Sequence, residues 1–174
     1  MALIPDSFVP PRFHETHRLS LEVLSAVHAV QDYECVTKCA DAIRGVFGPD
    51  NGWPANEMTL AENLSDVTRH EGQFFAREAF AYAIFEKSTA RRYVGCLYIK
   101  PIESRLENDK RKALFQAQAF CWFSPVATDT EFARLAADEI VQWVETSWPF
   151  AAVAFPGRTL GWDEWHALAA QNER

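Results

Sequence analysis

The sequence predicts an α/β (α+β) fold, a mixed and mostly antiparallel sheet flanked by helices, with elements in the order β-α-α-β-β-β-α-β-α. Three observations carry that expectation. Strand-like segments follow one another between Phe80 and Phe123 as a meander, and helix start signals stand at Thr59 and Thr128. A strand-helix-strand unit near the C-terminus makes the last two strands parallel, because a crossover through a helix brings the chain back in its original direction. With 174 residues, of which 48% are hydrophobic and 24% charged, the chain can bury a sizeable core. Residues 1–174 read as one domain, with residues 1–17 as an N-terminal arm.

In RLSLEVL (18–24), Leu19, Leu21 and Val23 alternate with Arg18, Ser20 and Glu22, the period of a half-buried strand. Between Ala29 and Phe47, Tyr33, Val36, Ala40, Ile43 and Phe47 recur at three and four residues, a helix that Gly48-Pro49-Asp50-Asn51-Gly52 stops. Thr59 and Glu62 form a capping box, each side chain answering the other's backbone amide. The helix it opens carries Leu60, Leu64, Val67 and Phe74 as a core stripe, with Glu71 and Glu78 as its charged members. Three aromatic or β-branched segments follow, 80–87, 92–102 and 114–123. Thr128 and Glu131 read as a second capping box before a helix bearing Phe132, Leu135, Ala136, Ile140, Trp143 and Val144, and Trp148-Pro149 ends it. FAAVAF (150–155) reads as a buried strand, and 162–171 as a short terminal helix.

Composition narrows the partners. The 17 Lys and Arg against 24 Asp and Glu give a formal charge of -7, which repels nucleic acid and anionic membrane. There is no apolar run long enough to span a bilayer, and the N-terminus has no basic segment before its apolar residues, which Pro5, Asp6, Pro10 and Pro11 interrupt. A cytoplasmic protein with four free thiols is expected. Walker, GxGxxG, HExxH, GxSxG and CxxC motifs are missing. Cys35 and Cys39, four apart on a helix, read as small apolar residues, so no metal site is expected. His70 and Glu71 point about 100° apart on their helix and read as a solvated face. Glu103, just past a strand, and Tyr82, Tyr93 and Tyr98 remain as candidate proton carriers.

This element order, together with RLSLEVL opening the fold, YVGCLYIKPI carrying Gly at its third position and FCWFSP leading into a helix, resembles the GNAT superfamily of acyl-CoA N-acyltransferases over residues 18–155. The resemblance implies that strand 114–123 splays from strand 150–155 and that acetyl-CoA lies in the V between them. The family's loop, Gln or Arg-x-x-Gly-x-Gly or Ala, falls on SPVATDTEF, with Ser124, Ala127 and Asp129 at its three marked positions. Glycines there let helix N-terminal amides approach a pyrophosphate, whereas Asp129 and Glu131 put negative charge in the same turn. The donor-binding residues so implied are Trp122, Phe123, Ser124, Val126, Ala127, Thr128, Asp129 and Thr130, with amides near Trp122 and Phe123 facing the oxyanion.

Glu103 is implied as the base, Tyr82 as a proton donor, and His166 as the substitute for the Tyr that the family carries near its last helix. Where the family continues into a hairpin this sequence reaches Arg174, so either a homodimer anchored on Trp162 or Trp165 completes the acceptor side or those rings close the domain's own core. Two functions stay open. One is an N-acetyltransferase moving an acetyl group from acetyl-CoA to a small-molecule or peptide amine. The other is a non-catalytic GNAT-like module that has lost CoA binding and holds a ligand or a protein. The helix-plus-meander pattern also suits a cone-shaped fold of the nuclear-transport-factor type.

Overall fold

The computed structural model describes residues 2–106 and 108–169. The chain runs β1 (Phe13–Glu15), β2 (Leu19–Val23), a 3₁₀ turn (Ala26–His28), α1 (Ala29–Ile43), α2 (Leu60–Phe75), β3 (Phe80–Glu86), β4 (Tyr93–Lys100), α3 (Lys110–Leu114), β5 (Ala117–Phe123), α4 (Thr130–Ser147), β6 (Val153–Ala154) and α5 (Trp162–Ala169). The strands form one sheet in chain order, antiparallel except for the parallel β5–β6 pair. The expected mixed, mostly antiparallel sheet is therefore the one observed.

Helices cover both faces, which is why β3 to β5 are apolar almost throughout instead of alternating. On one face Leu19, Leu21, Tyr82, Ile84, Leu97 and Ala119 pack with Ala136, Ile140, Trp143 and Val144 of α4. On the other, Ala81, Ala83, Cys96, Tyr98 and Trp122 pack with Val36, Cys39 and Ile43 of α1 and Val67 of α2. Each fully buried Leu or Ile contributes roughly 1.5–3 kcal/mol. Trp165 is buried with Ile102 and Ala154, so that ring closes the chain's own core instead of anchoring a partner.

Several elements differ from the sequence reading. The arm holds β1, whose exposed Phe13 and Glu15 give no alternating signal; pairing with β2 makes it a strand. Its His14 ring stacks 4.2 Å from that of Trp143. Helix α1 ends at Ile43 instead of Phe47, with a break in its φ/ψ at Cys39. On α2, Leu60 and Leu64 are exposed, and the inner face is Asn63, Val67 and Phe74. Asn63 belongs there because its Nδ2 donates to the Ala29 carbonyl at 3.0 Å and ties α2 to α1. Helix α3, capped by Asp109, takes the start of the predicted strand 114–123. The cap of α4 is Asp129, one residue beyond the Thr128 expected: its carboxylate accepts from the Phe132 amide at 2.8 Å, while the Thr128 hydroxyl donates backwards to the Ser124 carbonyl. Of the predicted strand 150–155, Val153 and Ala154 pair. Residues 170 and 171 of the expected last helix lie outside the described residues.

Candidate functional site

Strands β5 and β6 pair at Ala117 with Val153 and at Gln118 with Ala154, then part. Beyond Gln118 no strand among the described residues pairs with the side of β5 turned away from β4, and a cleft of about 490 Å³ opens there, also lined by Ile43 to Val46, the first turns of α4, Gly157, Arg158 and Trp162. Gly157, at φ +77°, lets the chain turn away under Trp162, whose Nε1 would stand 2.5 Å from any added Cβ. Gly95 is required on the opposite edge of β5, because a Cβ there would lie 1.9 Å from the Trp122 carbonyl oxygen.

Register decides which peptide groups face the V. The Ser124 amide donates to the Val94 carbonyl at 2.8 Å, and the register runs unbroken from Gly95–Phe123 to Lys100–Gln118. The Cys96–Trp122 and Tyr98–Phe120 pairs are therefore the hydrogen-bonded ones, and Ala119, Cys121 and Phe123 turn their peptide groups into the cleft. Arg158 Nη2 accordingly donates to the Cys121 carbonyl at 3.3 Å. Of the two amides the resemblance implied, that of Phe123 faces the V and that of Trp122 is committed to β4; the Cys121 amide is an addition.

The loop before α4 is folded on itself. The Ala127 and Thr128 amides both donate to the Ser124 carbonyl, and the Phe132 amide is taken by Asp129. Trp122, Phe123 and Thr130 line the cleft, but Ser124, Val126, Ala127, Thr128 and Asp129 do not, and Val126 is 69% exposed. Those bonds occupy the Ala127, Thr128 and Phe132 amides, and the Asp129 carboxylate puts negative charge at the helix N-terminus, which disfavours a pyrophosphate cradle there. Arg44, Arg134 and Arg158 line the cleft instead. The unpaired peptide groups of β5 could bond an extended amide-bearing arm, and the arginine side chains could hold phosphates.

A second cavity, of about 670 Å³, lies on the α1–α2 side and brings Glu103 and His166 together. Glu103 Oε1 accepts from Lys100 Nζ at 3.3 Å, and that ammonium stands 5.8 Å and 5.9 Å from the ring centres of Phe47 and Phe120. His166 lies against Trp162. Tyr82 does not join them: its hydroxyl donates to the Pro11 carbonyl at 2.7 Å in the layer facing α4, where burial pushes its pKa up.

His70, which the sequence places on a solvated face, lines this cavity with its side chain 15% exposed. Its Nε2 stands 3.6 Å from Asp66 Oδ2 and its ring 5.2 Å from that of Tyr98. Burial pushes the Asp66 carboxyl up, but His70 and Arg69 together outweigh it and hold it at about 2. The overlooked signal was Asn63, seven residues before His70 on the same helix face. Phe120 and Trp162 line both cavities, their nearly parallel rings 6.3 Å apart. Among the described residues no group of three or more His, Cys, Asp or Glu is placed to hold a metal, and the four cysteines are free thiols.

A sheet opened into a V between parallel neighbours, with two helices on one face and one on the other, is the GNAT acetyltransferase fold. RimL, the ribosomal L7/L12 alpha-N-protein acetyltransferase, in complex with coenzyme A, superposes with a TM-score of 0.54 at 15% identity, over 74% of this chain and 64% of that one. The microcin C7 self immunity acetyltransferase MccE, in complex with acetyl-CoA and AMP, gives 0.54 at 14% identity over 76% and 65%. An acetyltransferase from Salmonella typhimurium that modifies the N-terminal serine of ribosomal protein L7/L12 gives 0.52 at 13% over 76% and 67%. This chain thus spans just under two thirds of the first two structures. No protein-family model matches the sequence, and no curated protein does. No helix of the described residues is long and apolar enough to cross a membrane.

Proposed function

We propose that the protein is an N-acyltransferase that moves an acetyl group from acetyl-CoA to a small-molecule or peptide amine. The observation that carries this reading is the V itself: an unpaired β5 edge opens beside a polar, aromatic-lined cavity, and Phe120 and Trp162 stand between the two. When bound, the donor supplies an acyl carbon activated as a thioester. The amides of Cys121 and Phe123, fixed by the sheet before any substrate arrives, offer preorganised donors to a developing oxyanion. Arg44, Arg134 and Arg158 meet phosphate charge. Glu103 takes the proton of the attacking amine, and His166 returns one to the departing thiolate. RimL with coenzyme A and MccE with acetyl-CoA support the choice of donor, and the ribosomal-protein acetyltransferases support a peptide amine as one form of acceptor.

The second reading, a non-catalytic module, is favoured by one observation, the self-bonded loop closed by Asp129. Thermal unfolding with and without millimolar acetyl-CoA decides between them. A ligand that binds only the folded state adds about 2.7 kcal/mol at 100 times its Kd, several degrees for a chain of this size. A clear upward shift is expected. Unchanged melting with both acetyl-CoA and CoA supports the module.

A further inference from the structure

We propose that Lys100 is a modification site of this protein, acylated in cis from the donor cleft; this rests on the acetyl-CoA reading above. Of the five lysines in the sequence, Lys100 is the one that lines the larger cavity. Lys38 and Lys87 sit in exposed pairs with Glu34 and Glu15, and Lys112 donates to the Ser104 carbonyl. The Lys100 side chain leaves β4 opposite Gln118, the last β5 residue paired with β6, so it starts level with the apex of the V. Its ammonium rests near the Phe120 ring, which borders both cavities, and Glu103 accepts its proton bond at 3.3 Å. An amine, a carboxylate able to receive its proton and the wall of the donor cleft thus meet at one point. Aromatic faces stabilise the cation until it is deprotonated, and the short flexible tether replaces a bimolecular encounter.

In the step, Lys100 Nζ forms an amide bond to the acyl carbon as the carbon–sulfur bond breaks. Of the two protons lost by the ammonium, one passes through Glu103 to solvent and the other ends on the departing thiol. No oxidant or further reactant is consumed. The product is a neutral side chain beside the Phe47 and Phe120 rings, which changes the charge of the acceptor cavity.

The test incubates the full chain with acetyl-CoA and follows each lysine by peptide mass mapping, beside thermal unfolding of the same samples. Lys100 is expected to gain an acetyl group at least about tenfold faster than Lys38 or Lys87, and Glu103→Gln to slow it about a hundredfold. Lys100→Arg should keep the full acetyl-CoA stabilisation while losing the modification. An independent readout needs no turnover: labelling of Lys100 by the N-hydroxysuccinimide ester of acetic acid should fall when CoA is added, with Lys38 and Lys87 unaffected. Stabilisation by acetyl-CoA without acetylation of Lys100, or with even acetylation of all lysines, overturns the proposal and spares the function. No stabilisation at all overturns the function and the proposal with it.

Discussion

Asp32 shows what a single buried residue does to the whole energy balance. It is 4% exposed on the inner face of α1, and its Oδ1 accepts from the Tyr93 hydroxyl at 2.6 Å and the Cys96 thiol at 3.4 Å. Burial, the largest influence, pushes its carboxyl up; hydrogen bonds from Tyr93, Asn63 and Cys96 offset part of that. The unfolded chain loses this proton near the ordinary 3.8, and the folded chain loses it higher. Across that interval the folded state binds more protons, so this residue's contribution falls as pH rises from 3.8 through the raised folded value. Asp32→Asn keeps an oxygen for Tyr93 and cannot ionise. Urea unfolding from about pH 4 to pH 8 should show a decline with pH that the variant flattens, and equal slopes in both proteins would show that Asp32 is not the source. Residues of this kind are poorly legible in sequence, since Asp32 follows Gln31 in what reads as a polar patch on α1. His70 was hidden for a related reason: its neighbours Arg69 and Glu71 are charged, and only the position of Asn63 turns it inward. Glu103 was singled out because it follows a strand end and His166 because it stands where the resembled family carries a Tyr, and the structure places both on the wall of one cavity.

At the scale of elements, two similar signals had different outcomes. Thr59 and Glu62 close a capping box as their spacing says, with Glu62 Oε2 accepting from the Thr59 amide at 2.7 Å. Thr128 and Glu131 have the same spacing, but Asp129 lies between them and its carboxylate reaches the N3 amide first, which moves the helix start by one residue. Elements β1, α3 and β6 were illegible or overdrawn because they are short and owe their form to a neighbour: β1 to the edge of β2, α3 to the Asp109 cap, β6 to two residues of β5. Meander strands with a full apolar face needed no such help. Asp129 also separates the two functional readings. Asp129→Asn keeps the capping oxygen and removes a charge whose attraction to the helix dipole is about 0.3–1 kcal/mol. Stability without ligand should change little, and the shift in melting produced by acetyl-CoA should grow. A shift equal to that of the unaltered chain would mean that the donor's phosphates lie away from α4.

For the whole molecule, the proposed donor is a polyanion while the chain carries a net charge of -7. The charges act over two ranges. Acidic residues spread over the surface repel from distances beyond the Debye length, about 10 Å at 0.1 M salt, and are largely screened there. Arg44, Arg134 and Arg158 line the cleft itself, where a pair at about 4 Å is worth about 4 kcal/mol at an effective dielectric near 20 and is screened much less. Attraction at contact therefore outweighs the residual repulsion. The partners of these arginines offset little of it: Arg134 bridges Asp138 and Arg44 bridges Asp41 in pairs whose carboxylates are exposed, Arg44 also donates to the Pro54 carbonyl and to Asn56 Oδ1, and Arg158 is bonded to a neutral carbonyl. Two salt responses follow, of opposite sign. In the unaltered chain the Kd for CoA, read by titration calorimetry at about 0.05 M and 0.5 M NaCl, should rise with salt as contact attraction weakens. In the double variant Arg134→Gln, Arg158→Gln the distributed repulsion is the larger part of what remains, so binding should be weaker overall and improve with salt. A Kd that falls with salt in the unaltered chain would show that the arginines do not meet the phosphates, and the V would then need a neutral occupant.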